Sequence, residues 1–342
     1  MRKLQNTLYV TTEGAYLKKE GETVTVSTND RDIFRVPIHN LESIVCMGYI
    51  GISPYLMHLC AKNDVSVSFL TPAGKFLSRV TGHTKGNVLL RKAQYRYSED
   101  LTLSNSIAKS VVTAKITNSR HLLSRFVRDH KDSKDTEAVK QAAESLKFIA
   151  KKAEFSNELD MTRGFEGSAA EVYFGVFNDL ITPGTITFCG RNRRPPKDEV
   201  NCLLSFLYTI LYHDVRSAAE TAGFDPAVGF LHRDRPGRMS LALDMMEELR
   251  PVLVDKTVLK LINLKIIGKN DFVIRENGAV ILKDEARKKV ITEYQTRKKI
   301  MIEHPFLGEK MELGLVPFVQ MRLLGAYLRG DTELYPPFFR SV

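Results

Sequence analysis

The sequence predicts an α+β protein, in which a small β-rich N-terminal domain precedes a larger, mainly α-helical domain. Its 342 residues exceed the usual size of a single domain, so two domains are expected. Apolar and polar residues alternate in the first part of the chain, and the period changes to that of helices from about residue 86. We therefore predict a β-rich domain over residues 1–85 and a helical domain over residues 86–342.

The β-rich domain is predicted from alternating strands that are punctuated by glycine. The stretch NTLYVTTEGAYLKKEGETVTVST is typical of hairpins with one solvent-exposed face. One short helix interrupts the strands at SPYLMHLCAKN, with Ser53 as its N-cap and Pro54 at the first helical position.

The helical domain is predicted from apolar residues at i, i+3, i+4 and i+7. A first helical stretch runs from about residue 86 to 130. Further helices are expected at roughly 135–155, 158–180, 197–222, 239–250 and 257–264. The segment DFVIRENGAVILK predicts a hairpin that turns at Asn277 and Gly278, and LGLVPFVQMRLLGAYLRGD predicts a last helix.

Composition narrows the class of protein. Apolar residues make up 43% and charged residues 26% of the chain, as in ordinary globular proteins. No run of about 18 apolar residues appears, so no membrane span is expected. The N-terminus lacks the apolar region of a signal peptide, and we expect a cytoplasmic protein. The four cysteines lack zinc-binding spacing and are expected to be buried free thiols.

The net charge of +10 favours a polyanionic partner. The loop CGRNRRPPKDEV concentrates this charge in Arg191, Arg193 and Arg194. Such a loop is equally well explained as a solvated charged segment without a ligand.

A group of acidic residues lies in GFLHRDRPGRMSLALDMMEELRP. We expect Ser240 to cap a helix that ends before Pro251, with Asp244, Glu247 and Glu248 on one face. In the simplest interpretation these acids face water. His232 precedes Asp244 by 12 residues, and the intervening turn residues allow it to fold back towards the acids.

A fourth acidic residue, Glu166, lies upstream in RGFEGSAAEVYF. Gly164 and Gly167 flank it in an otherwise helical stretch, where each glycine costs about 1 kcal/mol relative to alanine. Close approach of another backbone or of a ligand would explain both glycines, and so would tight helix packing. One imidazole and two carboxylates suit Mn²⁺ or Mg²⁺. Beside an arginine-rich loop, the natural substrate is a phosphodiester.

Three segments give the chain a specific resemblance to a known family. RGFEGSAAEVYF, RNRRPPKDEVNCLLSFLYTILY and GFLHRDRPGRMSLALDMMEELRP, in this order and domain context, resemble the CRISPR-associated integrase that inserts new spacers during adaptation. The ending LYPPFFRSV and the length resemble the subtype I-C branch.

The resemblance implies specific roles for residues. The metal ligands would be Glu166, His232 and Glu247, and Asp244 would be a nearby catalytic acid. At the third ligand position Glu247 and Glu248 both remain possible. Residues that would contact DNA are Arg163, Arg191, Arg193, Arg194, Asn201, Ser205 and Arg238.

The resemblance also implies an activity and partners. The helical domain would be a metal-dependent catalytic domain, in which a DNA 3′-hydroxyl attacks a phosphodiester at the edge of a CRISPR repeat. The β-rich domain would mediate dimerisation and partner contacts. Expected partners are double-stranded and branched DNA, a second copy of the chain, a dimer of a small ferredoxin-like protein, and an iron–sulphur nuclease.

Two other function classes fit parts of the sequence. A non-catalytic basic adaptor would bind nucleic acid through its arginine loop. A recombinase with a tyrosine nucleophile would use Tyr173 or Tyr208 within a cluster of arginines and histidines, and it would need no metal.

Overall fold

The computed structural model describes residues 6–29, 31–72, 74–80, 82, 87–130, 136–181, 186–192 and 195–339. The chain divides into two compact units, Met1–Gly86 and Asn87–Val342. The first is rich in β-strands and the second is mostly helical, so the predicted fold class is confirmed.

The first unit contains two sheets of four strands each. One sheet has the order β1, β5, β7 and β8, which are Asn6–Val10, Leu41–Met47, Ser66–Leu70 and Phe76–Val80. The other has the order β4, β3, β2 and β6, which are Arg31–Pro37, Thr23–Thr28, Tyr16–Glu20 and Gly51–Ile52. The helix α1, Pro54–Lys62, begins as predicted, because the Ser53 side chain accepts a hydrogen bond from the backbone N–H of Leu56.

Strand pairing in this unit is only partly that of hairpins. β2 and β3, and β3 and β4, pair antiparallel as the alternation predicts. However, β1, β5 and β7 pair parallel to one another. Every residue of β5 is buried, so this strand is covered on both faces, as strands of parallel sheets commonly are.

The second unit is built from nine described helices and two short hairpins. The helices α2 to α10 are Val88–Glu99, Leu101–Asp129, Glu137–Glu154, Leu159–Gly175, Glu199–Ala222, Ser240–Met246, Lys256–Asn263, Asp284–Lys298 and Val316–Arg329. The hairpins pair β9 (Phe272–Ile274) with β10 (Val280–Leu282), and β11 (Met301–Glu303) with β12 (Lys310–Glu312).

The long helix α3 is the centre of this unit. It packs against α4, α5 and the helical turns that follow α7. Asp100 separates it from α2, since its carboxylate accepts the backbone N–H groups of Thr102 and Leu103 and begins a new helix. The first helical stretch is therefore two helices rather than one.

The acidic segment differs from its prediction at both ends. Met239, not Ser240, is the N-cap, and the Ser240 hydroxyl donates to the carbonyl of Arg233 instead. Pro251 does not end the helical path. A 3₁₀ turn at Glu247–Leu249 and a π turn at Arg250–Asp255 lead directly into α8. These turns change the hydrogen-bond register where the proline lacks a donor.

Two other features differ from the predictions. The sequence did not predict the helix α9, although acidic residues in its first turn and basic residues in its last turn complement the helix dipole: Asp284, Glu285, Arg297 and Lys298. Cys189 is exposed, whereas the other three cysteines are buried as expected. Within the described ranges, no helix has the length and apolar character that crossing a bilayer requires.

Candidate active site

Glu166 lies in the middle of α5, with a side chain that is 30% exposed. Glu171 on the same helix is exposed, as the helical spacing predicts. A Cβ atom added to Gly164 or Gly167 would meet no other heavy atom within 4 Å. Tight helix packing therefore does not explain these glycines, and the interpretation that a ligand approaches them stays open.

Lys115 of α3 joins two of the predicted metal ligands. Its Nζ atom donates a short hydrogen bond to Oε1 of Glu166 and lies 2.7 Å from Oε2 of Glu247. The lysine side chain is only 12% exposed. This residue was not predicted from the sequence, although Lys115 follows Val111 by four residues and so interrupts the apolar face of its helix.

Glu247 is buried at 2% exposure, which contradicts the interpretation that the acids face water. Arg250 Nη2 lies 3.0 Å from its Oε1. Burial raises the pKa of the Glu247 carboxyl, but the charges of Arg250, Lys115 and His232 outweigh it and lower that pKa to about 2. The Oε2 atom of Glu247 contacts Lys115, but the contact does not have the geometry of a hydrogen bond. This buried oxygen can therefore still accept one.

Asp244 holds the loop that carries His232. Its Oδ2 accepts the backbone N–H groups of Phe230 and Leu231 at 2.6 and 2.9 Å, and its Oδ1 accepts that of His232 at 3.0 Å. The Nδ1 atom of His232 lies 2.6 Å from the same Oδ1. An ionised carboxylate only accepts hydrogen bonds, so we assign the proton to Nδ1, which leaves the lone pair on Nε2.

Glu248 has a different environment from its neighbour. It is fully buried and accepts hydrogen bonds from the Tyr335 hydroxyl, the Gln320 side chain and the backbone N–H of Phe338. The expected common face of the three acids is therefore not observed. The 3₁₀ turn at Glu247–Leu249 directs Glu247 towards Lys115 and Glu248 towards the C-terminal segment.

The predicted ligands are chemically suited to a divalent cation, but the Lys115 ammonium contacts the carboxylates of both Glu166 and Glu247. Within the described ranges, no three His, Cys, Asp or Glu side chains are spaced to hold one ion. Glu166 and Glu247 nevertheless contact the same ammonium, and His232 lies close enough that its protonated form lowers the pKa of Glu247.

The arginine loop is anchored to α6. Arg191 donates to Oδ1 of Asn201 at 2.5 Å, lies 3.5 Å from the Ser205 hydroxyl and stacks over the Tyr208 ring. The Asn201 side chain is fully buried, so it positions Arg191 and offers no surface to DNA. Arg193 and Arg194 lie outside the described residues.

Two further arginines were predicted to contact DNA. Arg163, one turn before Glu166, donates from Nε to the carbonyl of Leu231 and from Nη1 to Asp160. It lines a groove together with His232. Arg238 is half-buried in the loop between His232 and α7.

Both candidate tyrosine nucleophiles are bound to one buried carboxylate. Tyr173 and Tyr208 donate their hydroxyls to Asp255 at 3.0 and 2.5 Å. Burial first, and then the charge of Asp255, raises the pKa of both phenols well above the usual value. Arg250 does lie over the Tyr208 ring, but the protonated phenols disfavour tyrosine chemistry.

The fold and the site define an α+β protein whose helical unit carries carboxylates, a histidine and several arginines. The family model described as CRISPR associated protein Cas1 matches residues 8–296. CRISPR-associated endonuclease Cas1 1 of Chlorobaculum tepidum is 50% identical over 340 residues, which cover 99% of both chains. CRISPR-associated endonuclease Cas1 2 of Rhodospirillum rubrum is also 50% identical, with 99% of both chains covered.

Solved structures agree in fold. A CAS1 protein from Thermotoga maritima has a TM-score of 0.81 at 23% identity, over 95% of this chain and 97% of that one. A casposase bound to integration product has a TM-score of 0.81 at 24% identity, over 96% and 92% of the two chains. The family match and the 50% identical relatives show that the chain belongs to the CRISPR-associated Cas1 family.

Proposed function

We propose that the protein is a metal-dependent DNA endonuclease and integrase of CRISPR spacer adaptation. In the proposed reaction a DNA 3′-hydroxyl attacks a phosphodiester at the edge of a repeat. Support comes from relatives that match nearly the whole chain at 50% identity and are named endonucleases. The structural observation that carries the proposal is the meeting of Glu166 and Glu247 at one ammonium, with Arg250 beside them.

Glu166, His232 and Glu247 are proposed to hold Mn²⁺ or Mg²⁺. Their two carboxylates and one imidazole nitrogen are donors that these ions accept. We favour Glu247 over Glu248, because the hydrogen bonds from Tyr335, Gln320 and Phe338 occupy the Glu248 carboxylate. When bound, such an ion supplies positive charge to neutralise the reacting phosphodiester.

The remaining residues of the site orient the ligands and the DNA. Asp244 fixes the ring of His232 and keeps the proton on Nδ1, so that Nε2 is available as a donor atom. Arg191, with Arg193 and Arg194 of the same loop, is proposed to bind phosphates, and Arg163 and Arg238 to extend this surface around His232. Ser205 lies within reach of Arg191 and is proposed to line the same cleft.

The proposed partners are double-stranded and branched DNA, a second copy of the chain and a dimer of a small ferredoxin-like CRISPR-associated protein. We also propose cooperation with an iron–sulphur nuclease, membership of the subtype I-C branch and a cytoplasmic location. A solved structure of similar fold is described as a Cas6-RT-Cas1–Cas2 complex.

The decisive experiment compares Glu166→Gln with Glu171→Gln. Both variants remove one carboxylate from α5, but only Glu166 contacts Lys115, whereas Glu171 is exposed. In a strand-transfer assay with branched DNA and Mn²⁺, we expect Glu166→Gln to abolish activity and Glu171→Gln to retain it. His232→Ala and Glu247→Ala should also be inactive. Full activity in Glu166→Gln would refute the proposed metal site.

Chelation separates the proposal from the tyrosine mechanism. EDTA should stop strand transfer, and activity that survives in EDTA but is lost in Tyr208→Phe would establish tyrosine chemistry instead. A protein that binds DNA but has no metal-dependent activity under any condition would be the basic adaptor.

A further inference from the structure

Lys115 has a position that the proposed reaction leaves unexplained. A lysine with a 12% exposed side chain is usually paired, and this one contacts two carboxylates from different elements. Glu166 comes from α5 and Glu247 from the turn after α7. Both carboxylates are proposed metal ligands, so the ammonium and the ion need the same oxygen atoms.

Exchange of the ammonium for a divalent ion changes the charge of the site. The two carboxylates, the Lys115 ammonium and the Arg250 guanidinium together are neutral, so the exchange leaves one excess positive charge. Arg250 remains 3.0 Å from Oε1 of Glu247, while Lys115 is the cation in contact with both acids. A lysine side chain is a flexible stem with a compact charge, so it can leave this position without moving its helix.

A small cavity beside Lys115 offers the released ammonium a second position. Arg191, Arg250, Asp255 and apolar residues such as Ile116 and Ala169 are among the residues that line it. Its volume of about 20 Å³ leaves room for about one water molecule, so it can admit an ammonium but no phosphate group. The Asp255 carboxylate in the lining is an acceptor for the released ammonium.

We propose that the Lys115 ammonium is a built-in competitor of the divalent cation, and that cation binding releases it towards the cavity that Arg250 and Asp255 line. The inference rests on the proposed function. It makes binding of the cation and of DNA cooperative, because exchange of the ammonium for a divalent ion adds one positive charge to the site, which favours the DNA phosphates.

The test is titration of Mn²⁺ into the full chain by calorimetry, in the absence of DNA. Lys115→Met removes the competing charge and keeps the length of the stem, so we expect at least tenfold tighter binding of Mn²⁺. Lys109→Met, at another lysine of α3, should bind Mn²⁺ like the wild type. Lys115→Arg keeps the charge and should not tighten binding. Unchanged or weaker affinity in Lys115→Met, or equal tightening in Lys115→Arg, would overturn the inference.

A second measurement needs no variant that could fail to fold. With a dideoxy-terminated duplex, which offers no 3′-hydroxyl for transfer, wild-type protein should bind Mn²⁺ several-fold more tightly than without DNA. Equal affinity with and without the duplex would contradict the coupling. If Mn²⁺ binds neither the wild type nor Lys115→Met, the proposed metal site fails as well. If Glu166→Gln weakens Mn²⁺ binding but Lys115→Met has no effect, only the role of Lys115 fails.

Discussion

At the scale of single residues, Gly229 shows how closely the backbone surrounds the Asp244 carboxylate. A Cβ atom at this position would lie 2.6 Å from Oδ2 of Asp244 and 2.8 Å from the carbonyl carbon of Ser240. We expect Gly229→Ala to lower the free energy of unfolding by about 1–3 kcal/mol, as overpacking does, and to reduce strand transfer by displacing His232. Urea unfolding measures the first effect. Gly175→Ala, where a Cβ has no neighbour within 4 Å, is the matched control.

Glu248 gives the folded protein a specific pH dependence. Burial raises the pKa of its carboxyl from 4.5 to about 7, despite hydrogen bonds from Tyr335, Phe338 and Gln320 that favour the charged form. Between these two values the folded state holds a proton that the unfolded state has released. The protonated Glu248 side chain therefore contributes fully to the free energy of unfolding below pH 4.5. This contribution, up to about 3 kcal/mol, is lost as the pH rises through 7.

Glu248→Gln should remove this loss. Its amide can donate to the Tyr335 hydroxyl oxygen while its carbonyl accepts from Phe338, so the packing is kept. We expect the variant to be more stable than the wild type at pH 8 and similar to it near pH 5, as measured by thermal unfolding. A wild type that gains stability relative to Glu248→Gln between pH 5 and 8 would contradict the assignment.

At the scale of elements, the helix α5 contains two glycines, Gly164 and Gly167, that face open space. Gly164→Ala should raise the free energy of unfolding by up to about 1 kcal/mol, since alanine is the better helix former and its methyl group meets nothing within 4 Å. If the glycine is there for close approach of DNA, the same variant should bind DNA more weakly. Stability and DNA affinity that rise together would show that the glycine has no role in binding.

The elements also show which parts of the fold the sequence could predict. Local signals were sufficient for α1, where Ser53 and Pro54 begin the helix, and for the hairpin that turns at Gly278. The predicted helix end at Pro251 was wrong, because burial of residues 251–255 stabilises a π turn that local propensity disfavours. Parallel pairing of β1 with β5 depends on distant chain segments, which alternation within one strand does not reveal.

At the scale of the whole molecule, the net charge of +10 predicts binding of DNA that weakens with salt. We expect the double variant Arg193→Ala and Arg194→Ala to weaken binding to all sequences alike and to reduce the slope of log K against log salt by about 1–2. Filter binding over a range of salt concentrations measures the slope. The double variant Lys140→Ala and Lys147→Ala, which removes two exposed charges from α4, is the control.

The site itself was predictable only in part, because it joins distant segments. Motif resemblance pointed to Glu166 and His232 as metal ligands, which stays a prediction, and the helical period grouped Asp244 with Glu247. Lys115 precedes Glu166 by 51 residues, and Asp255 has tyrosine partners 82 and 47 residues away, so no local pattern connects them. Glu247 and Glu248 are adjacent in the sequence but have different partners in the folded protein, and the sequence alone does not show that difference.

The bond from the backbone N–H of Phe338 to Glu248 spans 90 residues, and it has a consequence for biosynthesis. At about 5–20 residues per second, a ribosome needs roughly 5–18 s to make the chain between them. Until then the turn that carries Glu247 lacks its support from Tyr335 and Phe338. The turn that carries Glu247 therefore reaches its full packing only after translation has passed Phe338.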